Sequence, residues 1–317
     1  MKIKGNLTIM ILSAAIFSGI FAEAQEKQTD QTDRFAQRYD LLVSKLGAAG
    51  VGIETLLNAW EAEDSTDLRL HTARFNYYFA KSRTESVVTK PERKYLGMDP
   101  ILQLKDSTGT DVYYYQEYFY NDSLFSMAVK TLDNSIKMYP DRLDLRFLKA
   151  DAFIAYEKGS PDMTLAYLGD LADEYFTGGR TWEYPGDTVN DEFFKSMIQQ
   201  YCAVFFSLGT NNSYEAFKTL SEKMLSYMKD DTTFMDNLGS YMLVAQKNHK
   251  AALKWYNKVL KIKPDDYTAI KNGIIVARSM KDLKLEKKYL QMMAEYGPST
   301  EQESARVRLN AMNSKKK

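Results

Sequence analysis

Residues 237–266, NLGSYMLVAQKNHKAALKWYNKVLKIKPDD, decide how this chain folds. In the second half, Ala252, Leu253, Tyr256, Val259 and Leu260 recur at i, i+1, i+4, i+7 and i+8, one apolar stripe at helical period. Ala252 is small enough for another helix to come close. Pro264 lies twelve residues beyond it and ends the helix, because proline offers no N–H and collides with the preceding turn. In the first half, Leu238-Gly239 sets a bulky residue beside one with no side chain, which also suits a close crossing. The stretch therefore predicts two amphipathic helices, a tight turn between them and a proline stop.

The same spacing returns elsewhere. Ala128 and Pro140 are also twelve apart, and Ala216 precedes Ala252 by 36 residues, close to one repeat length. These residues resemble the tetratricopeptide repeat, a 34-residue helical hairpin with Leu-Gly early, Ala in mid-unit and Pro at its end. The interval from Leu238 to Ala252 is one residue longer than usual in that family. The resemblance implies an all-α fold, a superhelix of stacked α-helical hairpins, over residues 34–313. Read along the chain, helical patterns number about thirteen, the last a polar capping helix of the kind an open stack requires.

Two segments break the pattern. Residues 84–120 contain Pro91 and Pro100, with β-prone runs at 101–105 and 112–120 around the turn residues Asp106-Ser107-Thr108-Gly109. They predict a β-hairpin inserted between helices. Alternation along 112–120 places Tyr113, Tyr115, Glu117 and Phe119 on one face and Tyr114, Gln116, Tyr118 and Tyr120 on the other. A lone hairpin is barely stable in water, so one face should pack on the helices. Residues 177–189, TGGRTWEYPGDTV, form a Gly- and Pro-rich loop bearing Trp182 and Tyr184. Amphipathic aromatics in a loop can anchor a peptide or stack on a sugar; a large aromatic can equally fold back between helical pairs.

Composition narrows the chemistry. Lysine plus arginine equals aspartate plus glutamate at 42 each, which argues against a dedicated nucleic-acid binder. Cys202 is the single cysteine, set in the apolar run YCAVFFSLG, and reads as a small buried residue. With only His71 and His249, a His/Cys metal site or a His-activated nucleophile has little to draw on. No GxxxxGK[ST] loop for ATP occurs, and no cofactor is expected.

The first 24 residues read as a secretory signal: Lys2 and Lys4, an apolar run over 7–21, then Ala22-Glu23-Ala24. Residues 25–33 are polar and read as a disordered start, and 314–317 as a basic tail. An exported, periplasmic protein of a Gram-negative envelope is expected, with no membrane span after signal cleavage.

Partner binding is the role the resemblance implies, on a concave surface lined by the first helix of each hairpin. Relatives that hold a C-terminal carboxylate carry Lys and Asn there. The corresponding helix here offers Asp236, Asn237 and Ser240 without a lysine on that face. The expected function is a non-enzymatic scaffold for another envelope protein or peptide. The alternative is carbohydrate binding in a nutrient-uptake system. The candidate ligand-binding residues are Trp182, Tyr184, Tyr114, Tyr118, Asp236, Asn237 and Ser240.

Overall fold

The computed structural model describes residues 30–314. The signal-like stretch, residues 25–29 and the last three lysines lie outside the described residues. Within them are thirteen α-helices and three β-strands. Helix α1 spans Asp30–Leu46, so the polar start is already helical from Asp30. It is followed by α2 (Ile53–Glu63) and α3 (Leu68–Ser82). Strands β1 (Arg83–Lys90), β2 (Leu102–Lys105) and β3 (Asp111–Tyr120) come next. Then come α4 (Asp122–Met138), α5 (Leu143–Glu157), α6 (Asp162–Thr177), α7 (Asp191–Leu208) and α8 (Asn211–Tyr227). The C-terminal helices are α9 (Thr232–Val244), α10 (His249–Ile262), α11 (Tyr267–Ser279), α12 (Leu283–Tyr296) and α13 (Ser299–Ser314). No described helix is long and apolar enough to cross a membrane.

The described residues divide into two compact units: 30–167 with 178–193, and 168–177 with 194–314. In the first unit, Tyr39, Ile53, Leu57, Trp60 and Leu70 bring α1, α2 and α3 onto one core. A second core joins Phe75 of α3 to Phe125, Ala128 and Leu132 of α4 and to Leu145 and Ala152 of α5. Ala128 thus sits at an inter-helix contact, as its size suggests.

The insertion between α3 and α4 contains the expected hairpin, β2 paired antiparallel with β3 across the turn at 106–110, and adds one more strand before it. It is a three-stranded antiparallel sheet in the order β1-β3-β2. Arg83 pairs with Tyr120 and Lys90 with Tyr113, so the first strand leaves α3 directly and the third runs straight into α4. The RTESVVTK segment is polar and has no turn before it, which is why a reading by local pattern passes over it. One face of β3 also packs differently from the expectation. Tyr115 lies against Tyr95, ring centroids 5.5 Å apart, and its hydroxyl donates to the Glu92 carbonyl at 2.8 Å. The connection between β1 and β2, rather than a helix, covers that ring. Buried Glu117 is held there by Lys158 Nζ at 2.8 Å and by the Tyr95 hydroxyl at 3.3 Å. Only Tyr120, at the helical end, joins the core, packing on Phe79, Phe125 and Tyr156.

In the second unit, successive hairpins repeat the same local solution. A residue with positive φ precedes a side chain that caps the next helix. The pairs are Gly209 (φ 72) with Thr210, Lys247 (φ 50) with Asn248, and Lys281 (φ 54) with Asp282. Packing repeats too. Gly239 of α9 receives the ring of Tyr256 from α10, and Gly273 of α11 receives Tyr289 from α12; a Cβ on either glycine would lie 2.4 Å from the ring. The two glycines are 34 residues apart. Ala252, Tyr256 and Val259 are fully buried with Met235, Ala269 and Val276.

The last three helices are tied by one buried acid. Glu286 of α12 accepts from Arg278 of α11 at 2.9 Å and from Arg308 of α13 at 3.1 Å. Burial alone would raise this carboxyl, but the two guanidinium groups outweigh it and hold it below the usual carboxylate range. Glu286→Gln keeps the shape and removes the charge. It should cost about 1–2 kcal/mol of stability near pH 7, read as a lower urea midpoint. The difference should vanish as acid protonates the wild-type carboxyl. An unchanged midpoint at neutral pH would show that the two arginines contribute nothing net.

Candidate functional site

Three groups of side chains were singled out by sequence, and the fold treats them differently. Trp182 is only 8% exposed. Its loop is stitched to the turn between α4 and α5: the Glu183 N–H donates to the Asp141 carbonyl and the Leu143 N–H donates to the Glu183 carbonyl, both at 2.9 Å. The guanidinium groups of Arg146 and Arg180 lie 5.7 and 5.4 Å from the indole centroid. Tyr184 is half-buried and packs on Phe193, centroids 5.0 Å apart; burial raises its hydroxyl pKa, with Asp144, Asp151 and Asp187 adding to the shift. The gap left by Gly and Pro in this loop is filled by its own aromatics, so little aromatic area faces solvent.

Asp236 and Asn237 lie in the interior of the second unit. From Phe234 to Gly239 six consecutive residues of α9 are buried, so the helix is covered nearly all round and polar side chains must find partners inside. Asn237 does so completely. Its amide exchanges hydrogen bonds with Gln199 of α7 (2.7 and 3.1 Å) and donates to Ser221 Oγ of α8 at 3.1 Å. Ser240 lies 3.5 Å from both the Tyr256 hydroxyl and Asn272 Nδ2. Asp236 is pushed up to about 8 by burial, with the charge of Asp266 adding to the shift and Lys263 opposing it. This cluster welds helices together.

Tyr114 and Tyr118 are the pair that the fold brings to a surface. They flank Gln116 on one face of β3. The register places Thr89, Val87 and Glu85 of β1 beside Tyr114, Gln116 and Tyr118, and Leu102 and Leu104 of β2 beside Tyr114 and Val112. Val87 is 58% exposed, and Leu102 and Leu104 are nearly half exposed. Arg83 lies 4.5 Å over the Tyr118 ring at the helical end. Among the described residues β1 and β2 each pair on one side only, so both edges keep unpaired backbone groups. Val87, Leu102 and Leu104 are the residues sequence reasoning missed. Leu102 and Leu104 alternate in β2, and the Val87-Val88 pair was the sole apolar signal in β1.

Among the described residues no group of three His, Cys, Asp or Glu is placed to hold a metal ion. Cys202 is fully buried, and burial pushes its thiol up to about 12. His71 Nε2 lies 3.0 Å from the Ser65 carbonyl and its ring meets Tyr139 edge-on. No family model matches this chain, and no curated protein matches it significantly in sequence.

Proposed function

We propose that this chain is an exported, non-enzymatic scaffold of the bacterial cell envelope, built on tetratricopeptide-like hairpins, which binds a protein or peptide partner. The repeat reading is supported by the 34-residue interval between Gly239 and Gly273, each receiving a tyrosine from the following helix. The binding reading rests on one observation. The inserted sheet carries Tyr114, Tyr118, Val87, Leu102 and Leu104 on one face, with a one-sided strand at each edge. An extended segment could add to such an edge through main-chain hydrogen bonds while its alternate side chains meet the tyrosines.

A photo-crosslinking residue placed at Tyr114 in cells should yield one protein adduct. Val87→Lys with Leu104→Lys should reduce that adduct at least about tenfold, while melting stays nearly unchanged, as for exposed substitutions in general. An adduct insensitive to both substitutions would remove the sheet face as the binding site. Glycan-array binding that is lost in Trp182→Ala, with no protein adduct, would favour the carbohydrate alternative instead.

A further inference from the structure

The equality of 42 basic and 42 acidic residues hides a strong segregation. Residues 247–288 hold twelve lysines and arginines against four acids, a net charge of +8. Of the four acids, Asp265 and Asp282 are exposed. Asp266 and Glu286 are buried, and Asp282 is engaged as the cap of α12. Helix α10 contains no acid at all.

Lys250, Lys254, Lys258 and Lys261 fall within an arc of about 80° on α10, since each residue advances about 100°, opposite the buried Ala252, Tyr256 and Val259. On α12, Lys284, Lys287 and Lys288 lie opposite the buried Tyr289, Leu290 and Met293. The two helices are neighbours. Leu253 and Leu260 of α10 pack against the cluster that Tyr289, Leu290 and Met293 form with Ile270 and Ile274 of α11, and the Tyr289 hydroxyl donates to Asn257 Oδ1 at 3.3 Å. The two lysine faces therefore run side by side. None of these seven lysines forms an ion pair among the described residues.

Apolar side chains stand among the charges. At the turn between α11 and α12, Leu283 is 63% exposed and Met280 is exposed too, flanked by Lys281 and Lys284. At the corresponding turn between α9 and α10, Val244 is exposed near Lys247.

We propose that this face docks on an anionic lipid bilayer, with Leu283, Met280 and Val244 entering the headgroup layer and the lysine ammonium groups at phosphate level. Eleven of the twelve basic residues are lysine, and the one arginine, Arg278, is committed to Glu286. Lysine is a compact point charge suited to a diffuse anionic surface, whereas fixed phosphates or carboxylates are better gripped by the arginine fork. Its long stem also keeps the charge wet while a neighbouring apolar side chain goes deeper. Leu283 and Val244 would add nothing to a contact with a nucleic-acid backbone.

The test is sedimentation of the full chain with vesicles of phosphatidylcholine alone or mixed with phosphatidylglycerol. Binding is expected to the mixed vesicles, with release at high salt. At about fivefold per lysine near an anionic surface, replacing Lys250, Lys254, Lys258 and Lys261 by Gln should weaken it more than about a hundredfold. Leu283→Ser with Met280→Ser should weaken it several-fold and leave the salt dependence unchanged. Circular dichroism checks that the variants fold. If the lysine variant does not, the salt titration and competition by polyglutamate on the wild type decide. Equal binding to neutral vesicles, binding retained by a folded lysine variant, or tighter binding to duplex DNA or polyglutamate than to mixed vesicles would overturn the proposal.

Discussion

Gly239→Ala should cost the second unit about 3 kcal/mol, a large loss for a single methyl group. Elsewhere in a helix the same change would be favourable, by up to about 1 kcal/mol, because alanine loses less backbone entropy. Here the new Cβ would lie 2.4 Å from Cε1 of Tyr256 and 2.9 Å from two further ring carbons. That ring is fully buried and walled by Ala252, Val259 and Ala269, so it has nowhere to go without opening the α9–α10 crossing. Gly273→Ala should behave alike, for its Cβ meets the buried Tyr289 ring at the same distance. Urea unfolding of each variant measures the loss. The decisive comparison is Gly239→Ala combined with Tyr256→Leu. Leucine alone leaves a void, and the alanine methyl grows toward that void, so the double variant should be more stable than the sum of the single losses by at least about 1 kcal/mol. Strictly additive losses would mean that the ring does not limit helix approach.

The glycine–tyrosine pairs also indicate how much of the fold could be read beforehand. An alanine twelve residues before a proline marked α4 and α10, because close helix crossing and helix termination are both local requirements. The Gly273 unit carried the glycine of the Gly239 unit 34 residues on. The Asn272-Gly273 pair lacks the leucine of the tetratricopeptide pattern, although packing needs only the glycine. Strand β1 was invisible for a different reason. Its partner is β3, more than twenty residues away, and nothing in RTESVVTK by itself demands a sheet. The binding candidates divided on burial. Tyr114 and Tyr118 sit on a strand, where alternation assigns faces reliably. Asp236 and Asn237 sit on a helix covered on all sides, where polarity no longer marks the wet face. Charge segregation was masked by a zero sum over the whole chain.

Asp236→Asn should make the protein more stable, and increasingly so as pH rises. Asp236 is 6% exposed and shares its surroundings with Asp266, itself buried at the start of α11. The two acids are not equivalent. Asp266 accepts from the Ala269 N–H at 3.1 Å and pairs with Lys263 at 3.2 Å, so it has uses for a negative charge. Asp236 has none. Its Oδ1 is buried without a hydrogen-bond partner, and its carboxyl is pushed up to about 8 by burial first and then by Asp266. At neutral pH it is mostly protonated, hydrogen-bonded to Asp266. An unfolded aspartate titrates near about 3.9. Below that value both states hold the proton and the residue makes no difference to stability. Between there and pH 8 the folded chain keeps a proton that the unfolded chain has released, so stability falls as pH rises, and above 8 the loss is complete. Asparagine does not titrate and can still donate an N–H to Asp266. Variant and wild type should therefore be close near pH 4. They should separate by on the order of 3 kcal/mol at pH 8.5, about half the full four-unit excursion at ~1.4 kcal/mol per unit, allowing for relaxation around the charge. Urea midpoints at several pH values give the two curves. Parallel curves would mean that Asp236 is ionised in the folded protein and that its charge is relieved by a group other than Lys263.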